Sequence, residues 1–519
     1  MTLLSALPSP LSDGLSSSSA IQLLYVAVGA VVTYNLFTWY LSWRRLSHIP
    51  GPAGAGWSKW WLLRNTLGGN MHLALKQACE EHGPLVRVGP NVLITNDPDT
   101  LRRMWGVRSP WKKADWYDAV RWDPTKDNLI SQRDDDKHTA LRAKMAAGYS
   151  GKENEGLERT IDEQILEFMD LIERKYLSSD GEFRPMDFAR KIQYFTLDTI
   201  SQLAFGKNFG HVREDRDVYQ YIKITEESMP VMLILTVFPA LARMLQSRMM
   251  RGLLPSEKDK VGFGRFIGVA KSVVAERLAS DDPYRKDMLG SFLAHGLTRV
   301  EAEGETLTQI IAGSDTTATA IRTTLLFLMT NPGCYAKLTG EIREADRKHV
   351  ISEPITNVEA QTLLPYLQAV IKEGLRRFPP VTGTMNTEVP EGGAEICGYQ
   401  VPAGTDVGWS AVAIQHSKVV YGEDAELFRP ERWLEAKGED LKNMTATLDM
   451  VFKYGKWQCL GKNVALIELN KIFVELLRRY DFSLVDPTNP WYSYSAGIFI
   501  QHGLNVRVTR VAKAYCNGA

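Results

Sequence analysis

The feature that most constrains this chain is a short loop, residues 452–461, in which glycines flank a single cysteine, Cys459. Behind the loop, apolar residues recur at spacings of three and four, as one face of an α-helix requires; they are Leu460, Val464, Ile467, Leu469, Ile472, Phe473, Leu476 and Leu477. A thiol just ahead of a helix start meets free backbone N–H groups and the positive end of the helix dipole, and both favour the thiolate. Gly455 allows a turn conformation that other residues avoid, and Gly461 allows a large flat ligand to lie against the backbone.

A thiolate held in this way suits the axial position of haem iron. The loop is similar to the haem-binding signature of the cytochrome P-450 monooxygenases, Phe-x-x-Gly-x-Arg-x-Cys-x-Gly, at Phe452, Gly455, Cys459 and Gly461. It departs at one position, because Trp457 stands where that family usually has Arg or His. The resemblance implies haem b as the cofactor, Cys459 as the axial ligand of its iron, and the other four residues as parts of its binding loop. A buried structural cysteine, the commoner fate of a lone Cys, is the alternative.

Charge and cysteine content argue against two other classes of protein. Lys plus Arg and Asp plus Glu both number 61, so no global field favours nucleic acid as a partner. The five cysteines are an odd number, lie far apart and form no CxxC pair; they are Cys79, Cys334, Cys397, Cys459 and Cys516. This spacing does not make a disulfide framework and fits a reducing compartment.

The N-terminal stretch predicts a membrane anchor. Residues 1–20 are rich in Ser, Leu and Pro and are predicted to be disordered, whereas residues 21–43 carry no charge and are long enough to cross the hydrocarbon core as a helix. Arg44 and Arg45 follow at once, which predicts a single pass with the rest of the chain in the cytosol. A cleaved signal peptide or a buried core helix is the alternative. Residues 44–52, basic and then Pro-rich, predict a hinge.

A second constellation lies in a helical run over residues 307–329, which is interrupted by Ala312-Gly-Ser-Asp-Thr-Thr317. These residues are poor helix formers, and such breaks in local propensity are where function tends to lie. The stretch is similar to the family's oxygen-binding motif, Ala/Gly-Gly-x-Asp/Glu-Thr. The resemblance implies room for dioxygen at Ala312 and Gly313, a hydrogen bond to the oxygen species from Thr316, and proton delivery by Asp315. A kinked core helix is the alternative.

Two further motifs predict a structural triad. Glu373 and Arg376 place opposite charges three residues apart on one helix face, which alone is usually surface decoration. Phe428-Arg-Pro-Glu-Arg432-Trp433 follows downstream. The resemblance implies that Glu373, Arg376 and Arg432 form the family's buried triad, which locks the segment ahead of the cysteine loop and has a structural role.

A helix face over residues 138–142 is the candidate for contact with the haem propionates. His138 and Arg142 are four residues apart, and the family commonly has Trp or His and then Arg or Lys at this spacing. A solvated helix face is the alternative, because the acidic run 134–136 precedes it. Many relatives also carry a basic residue just before Val389, where this chain has Asn, Thr and Glu at 386–388. We therefore expect Arg142 to carry more of the haem retention here than in those relatives.

Three stretches are candidates for the substrate cavity. By resemblance, residues 105–125, rich in Trp, form the loop over the cavity, although ordinary aromatic packing explains them equally well. The apolar segment 229–239 is a candidate access or membrane-touching region, with core packing as the alternative. Residues 491–502 are expected to return a loop to the pocket, with Ile498 and Phe499 as candidate wall residues.

The resemblance spans residues 48–510 and rests on four motifs in the family's order. It implies a mainly α fold with a small β-rich lobe, the cytochrome P-450 fold, preceded by one N-terminal transmembrane helix. Residues 53–519 then form the haem-thiolate monooxygenase domain. The motifs resemble the filamentous-fungal microsomal branch, which includes pisatin-demethylase-like enzymes, and this implies a location in the endoplasmic reticulum membrane with a cytosolic catalytic domain.

The implied reaction is monooxygenation of an apolar small molecule of fungal secondary metabolism, with a terpenoid, polyketide or alkaloid scaffold. Because the sequence carries no flavin or nicotinamide motif, the electrons are expected from an NADPH-cytochrome reductase. Lys453, Lys456 and Lys462 are a candidate docking surface for it, or else ordinary solvated lysines. The alternatives are a haem-thiolate isomerase or dehydratase, against which the intact Asp315-Thr316 pair argues, and a non-catalytic membrane-tethered haem-binding protein.

Overall fold

Helices dominate the protein. The computed structural model describes residues 17–154 and 156–511. Within them the α-helices, numbered in chain order, are α1 (Ser17–Arg45), α2 (Trp60–Leu67), α3 (Met71–His82), α4 (Pro98–Trp105), α5 (Asp135–Ser150), α6 (Leu157–Leu171), α7 (Phe188–Phe205), α8 (His211–Glu214), α9 (Tyr221–Val237), α10 (Pro239–Gln246), α11 (Gly262–Leu278), α12 (Met288–Ala294), α13 (Arg299–Thr330), α14 (Pro332–Arg347), α15 (Asn357–Leu363), α16 (Pro365–Arg377), α17 (Ala411–Gln415), α18 (Lys418–Tyr421), α19 (Arg432–Glu435), α20 (Gly438–Leu448) and α21 (Lys462–Arg479).

The strands form small sheets. They are β1 (Leu85–Gly89), β2 (Val92–Thr95), β3 (Lys112–Lys113), β4 (Met186–Asp187), β5 (Thr387–Glu388), β6 (Ala394–Ile396), β7 (Tyr399–Val401), β8 (Asp406–Trp409), β9 (Tyr480–Leu484), β10 (Tyr492–Ser495), β11 (Phe499–His502) and β12 (Asn505–Arg510). Within the described residues, the largest sheet has the order β1-β2-β8-β5-β3, and β2 pairs with β8 in parallel. A second sheet has the order β4-β12-β9. The predicted mainly α fold with a smaller β-rich part is confirmed.

Helix α13 runs through the helical part and carries the oxygen-binding motif. A capping box starts it, since Thr298 Oγ1 accepts from the Glu301 N–H and the Glu301 carboxylate accepts from the Thr298 N–H. The helix therefore begins at Arg299, ahead of the start at Leu307 that the apolar pattern predicts. It ends at Thr330, shortly before a proline opens α14. Because α7, α11, α16 and α21 pack against it, the polar centre of α13 is enclosed by protein.

Helix α1 begins earlier than the sequence predicts. Of the stretch 1–20 that is predicted to be disordered, residues 1–16 lie outside the described residues, and residues 17–20 belong to the helix. The predicted anchor, residues 21–43, lies within α1. Among the helices described here, no single one combines the length and hydropathy needed to cross a bilayer; the pair Val218–Val237 and Pro239–Gln246, bent by 113°, meets that test only when joined.

The segment after α1 is fixed to the first sheet. The Arg87 N–H donates to Pro50 O at 2.8 Å, and Arg87 Nη1 donates to Trp43 O at 2.8 Å. Gly51 is required there, because a Cβ at this residue would lie 2.0 Å from Arg87 O. The predicted hinge, residues 44–52, is therefore tied to β1 by one buried arginine.

Candidate active site

The cysteine loop is held between the end of α4 and the start of α21. The Cys459 N–H donates to Phe452 O at 2.8 Å, which closes the loop on itself. Gly455 has φ +60°, the left-handed conformation that glycine adopts without strain. A Cβ at Gly455 would also lie 2.1 Å from Trp105 O, so only glycine allows the loop to approach α4 this closely.

Opposing effects act on the Cys459 thiol. Burial raises its pKa above that of an ordinary cysteine, while the backbone N–H groups of Gly461 and Lys462 and the charge of Arg142 act in the opposite direction. Arg142 also ties down the loop, since its Nη1 donates to Gln458 O at 2.6 Å. The predicted helix-start donors are therefore present, but burial dominates until a metal, which deprotonates a coordinating thiol outright, is bound.

The surroundings of Cys459 fit a haem. Its side chain has accessible surface although protein surrounds the thiol closely enough to desolvate it, so this surface faces an interior space. A Cβ added at Gly461 would meet only Cys459 Sγ, at 3.8 Å, so the backbone beside the thiol leaves room for a flat ligand. Trp457 Nε1 is buried without a hydrogen-bond acceptor in the described part of the chain. A soft sulfur ligand, an open backbone and an unpaired donor together match an iron porphyrin with anionic substituents.

The centre of α13 presents small and polar groups. Ala312 is accessible within an otherwise buried run of this enclosed helix, so we infer that it borders an interior space. Thr316 Oγ1 donates to Ala312 O at 2.8 Å. Gly313 has a packing role that its sequence context does not indicate, because a Cβ there would lie 2.8 Å from Ile200 Cγ1 of α7.

Asp315 lies in a buried hydrogen-bond network with α7 and α9. Its carboxylate accepts from Gln193 Nε2 at 2.6 Å and from the Tyr221 hydroxyl at 3.3 Å. The Tyr221 hydroxyl also lies 3.0 Å from Ser314 Oγ. Burial raises the pKa of Asp315 to about 6, against the opposing charge of Arg322 and these hydrogen bonds. The sequence analysis missed Gln193 and Tyr221, which no local motif marks.

The face of α5 that carries His138 and Arg142 is turned inward. His138 is buried, which excludes the solvated-face alternative for this residue. Burial, together with the charges of Lys113, Arg142 and Lys456, lowers the pKa of His138 to about 3. The imidazole is therefore neutral at neutral pH and offers a propionate a hydrogen bond without charge. The acidic residue Asp134 instead caps the helix, accepting from the Lys137 N–H at 3.0 Å.

The structure brings the three triad residues together in a fully buried cluster. Arg376 Nη2 and Nε donate to the two oxygens of Glu373 at 2.8 and 2.9 Å, and Arg432 Nε lies 3.1 Å from Glu373 Oε1. Burial alone would raise the pKa of Glu373, but the two arginines outweigh it and hold this pKa below its ordinary value. Trp433 is a fourth member, because its Nε1 donates to Glu373 Oε2 at 2.9 Å.

The loop lysines do not form the expected docking surface. Lys456 Nζ donates to Trp111 O at 2.7 Å and pairs with Asp135 at 2.8 Å. Lys462 pairs with Asp449 at 2.8 Å. The surface interpretation is wrong for Lys453, whose side chain is buried and lies over the ring of Trp105.

A cleft lies between α2, the end of α9 and the segment after α16. Most of its lining is apolar, with Trp116 of the predicted roof loop and Leu233 of the segment 229–239 on its walls. Nearly half of the lining residues nevertheless have polar side chains, among them Lys59, Asn386 and Asp406, and the lining does not include Cys459, Ala312 or Thr316. The candidate wall residue Phe499 is two residues from the lining residue Gly497 in the chain, and its ring contacts that of Phe378 at a centroid distance of 4.4 Å with the two planes tilted by 45°. Ile498 is half-buried.

Comparison with known proteins agrees with this site. The family model described as cytochrome P-450 matches residues 50–509. The chain is similar to the cytochrome P-450 monooxygenase ABA1 of Pyricularia oryzae, with 42% identity over 505 residues that cover 96% of this chain and 97% of that protein. It is also similar to the cytochrome P-450 monooxygenase aba1 of Botryotinia fuckeliana, with 38% identity over 468 residues, covering 89% and 92%. The cytochrome P-450 monooxygenase mpaDE of Penicillium brevicompactum is 28% identical over 512 residues, covering 95% of this chain and 58% of that protein.

Proposed function

Because the chain belongs to the cytochrome P-450 family and is a haem-thiolate monooxygenase, we propose that it inserts one oxygen atom from O2 into an apolar molecule of fungal secondary metabolism. The substrate class in this proposal is a terpenoid, polyketide or alkaloid scaffold, in keeping with the similar monooxygenases of the fungi Pyricularia oryzae and Botryotinia fuckeliana. The observation that carries the proposal is that the same chain has the cysteine loop, Thr316 and a buried Asp315 that accepts hydrogen bonds. Incorporation of labelled dioxygen into product, with NADPH and a reductase present, tests it.

The chain's own residues hold the cofactor and handle protons. Haem, when bound, supplies the activation of O2. Cys459 would ligate its iron, and Arg142 keeps the loop in place through Gln458 O. Thr316 donates its one proton to Ala312 O, so its oxygen can accept a further hydrogen bond. Asp315 can take and release a proton near neutrality, because burial raises its pKa to about 6.

Replacing Thr316 with alanine should uncouple NADPH consumption from product formation. The variant should keep its haem and consume NADPH, but it should form about tenfold less product per NADPH and release hydrogen peroxide, since one proton-handling group is lost. Product, NADPH and peroxide are measured in the same reaction. Unchanged product per NADPH would show that oxygen activation does not depend on this hydroxyl.

Thr308→Ala is the matched control on the same helix. Thr308 Oγ1 donates to Gly304 O at 2.9 Å, the same intrahelical hydrogen bond that Thr316 makes. This variant should keep the coupling of the wild type. Equal uncoupling in both variants would assign the effect to the helix and not to Thr316.

An isomerase or dehydratase on the same fold is the second candidate function. Such an enzyme needs neither O2 nor NADPH, so turnover without either would establish it. The buried Asp315 network favours monooxygenation, because a proton-handling carboxyl has a use when O2 is split. The electrons would come from an NADPH-cytochrome reductase, since the sequence carries no flavin or nicotinamide motif.

We also propose that α1 anchors the enzyme in the endoplasmic reticulum membrane by a single pass, with the catalytic domain in the cytosol. Many of its apolar side chains are exposed, among them Tyr25, Val26, Val28, Leu36 and Phe37. Exposed apolar side chains along one helix favour burial in lipid. Arg44 and Arg45 at its end favour the cytosolic side.

Deleting residues 1–41 should move the protein from the membrane fraction to the soluble fraction with its haem spectrum unchanged. This boundary keeps Ser42 and Trp43, whose carbonyls accept from Arg87 at 3.2 and 2.8 Å. Deleting residues 1–45 removes both acceptors and should lower stability as well, because a buried guanidinium loses hydrogen bonds. If the variant that lacks residues 1–41 loses its haem, α1 belongs to the core of the catalytic domain. If this variant stays in the membrane fraction, another part of the chain is the anchor.

A further inference from the structure

Lys453 is a buried lysine that has no anionic partner within residues 17–154 and 156–511. Its side chain is 9% exposed, and its Nζ makes no hydrogen bond. Among the described residues, it is the lysine whose nitrogen is both buried and unpaired. The neighbouring Lys113 differs, because its Nζ donates to the carbonyls of Leu129 and Ile130 at 2.9 and 2.8 Å.

Nothing in the surrounding protein offsets the burial of this charge. Lys453 Nζ lies 3.9 Å from the ring centroid of Trp105 and 5.6 Å from that of Trp409. A desolvated cation–π contact offsets only part of the free-energy cost of burying an ammonium. Accordingly, burial and then the charge of Lys113 hold the pKa of Lys453 well below its ordinary value. The residue also has φ +62°, which side-chain-bearing residues rarely adopt.

The unpaired groups around Lys453 are of one chemical kind. Trp105 Nε1 and Trp457 Nε1 are also buried without an acceptor, and the two indoles belong to one apolar cluster together with Trp409. All three unpaired groups are donors, so the ligand that would satisfy them is an anionic acceptor. Lys453 and Trp457 both lie in the loop that carries Cys459, six and two residues before it in the chain.

We propose that the Lys453 ammonium and the Trp457 indole N–H bind a haem propionate, and that Lys453 supplies the positive charge that this chain lacks at position 457. This inference rests on haem binding by the Cys459 loop. It explains how a loop with Trp in place of the usual basic residue retains its cofactor. A lysine with a strained backbone and no partner is then explained by the carboxylate that it contacts in the holoenzyme.

Replacing Lys453 with methionine tests the proposal, because methionine keeps the length of the side chain and removes the charge. The rate of haem transfer from the purified holoenzyme to apomyoglobin should rise roughly 10- to 100-fold, the range expected for one lost charge-assisted hydrogen bond. The apoprotein of the same variant should be as stable as wild type or more stable, because a buried amine without a hydrogen-bond acceptor is gone. Lys453→Arg should retain much of the wild-type rate.

Haem dimethyl ester separates a propionate contact from a structural role. With both carboxylates esterified, the wild type and Lys453→Met should lose the ligand at equal rates. An exposed lysine of α20, Lys442, serves as the matched control, and Lys442→Met should leave the transfer rate unchanged. Trp457→Arg added to Lys453→Met should restore part of the retention.

Three results would overturn the inference. Equal transfer rates for wild type and Lys453→Met with ordinary haem would show that Lys453 does not contact a propionate. An undiminished difference with the dimethyl ester would show that Lys453 acts through the fold. A wild-type chain that takes up no haem, and so gives no thiolate-type carbon-monoxide spectrum, would overturn the proposed function together with this inference.

Discussion

Replacing Cys459 with alanine should abolish both the thiolate-type carbon-monoxide difference band and NADPH-dependent product formation. Within the loop, Cys459 is the residue that can offer iron a thiolate, and its accessible side chain contributes little to packing. The variant should therefore fold with nearly wild-type stability and fail only in iron ligation. Difference spectra, product analysis and a denaturation curve on the same preparation measure the three effects.

Cys397→Ala is the matched control for this experiment. Cys397 lies in the β6–β7 turn, with its Sγ 3.9 Å from the hydroxyls of Thr95 and Thr100. Its thiol packs against two hydroxyls outside the Cys459 loop, so this variant should keep the spectrum and the product. Normal turnover in Cys459→Ala, or loss of the spectrum in Cys397→Ala, would contradict the assignment of the iron ligand.

Replacing Glu373 with alanine should leave little folded, haem-containing protein. The carboxylate pairs with Arg376 and Arg432 and accepts from Trp433 Nε1, all of them buried. Removing it leaves two guanidinium groups without their counter-charge, and breaking a buried pair in this way costs about 3–5 kcal/mol. That loss is a large fraction of the roughly 5–15 kcal/mol by which a typical domain is stable. The denaturant midpoint and the haem content per chain measure the effect.

Two variants test the cause of that loss. Glu344→Ala removes an acid with the same three-residue spacing to an arginine, Arg347, on the surface of α14, and it should shift the midpoint little. Glu373→Gln keeps the shape of the side chain without its charge, and its denaturant midpoint should lie between those of the wild type and Glu373→Ala.

The stabilisation from Glu373 should also depend on pH. Because the pKa of Glu373 is held low in the folded protein, the stability that its carboxylate contributes is present above its unfolded-state pKa and is lost as the pH falls through the lower folded value. A denaturant midpoint in Glu373→Ala equal to that of the wild type would show that the triad does not stabilise the fold.

Features that depend on nearby residues could be predicted from the sequence. The turn at Gly455, the helix start behind Cys459 and the Glu373–Arg376 pair each involve residues a few positions apart, so backbone preferences and helix geometry determine them. The polar centre of α13 could also be located from the sequence, although the helix continues without a break through these poor helix formers. The start of α13 was missed because its capping residues precede the apolar pattern.

Only the tertiary structure decided which polar groups are buried and what they contact. The hydrogen-bond donors to Asp315 are Tyr221 and Gln193. They lie 94 and 122 residues earlier in the chain, and no local pattern links them to Asp315. Lys453 shows most clearly what local sequence cannot predict, because the composition of its loop indicates a solvated lysine. The sequence by itself determined the loop, the thiol and the helix behind it, through short-range backbone geometry. The burial of Lys453, and with it the absence of a partner for its charge, depends on Trp105 and Trp409 from distant elements, because burial is a property of long-range packing.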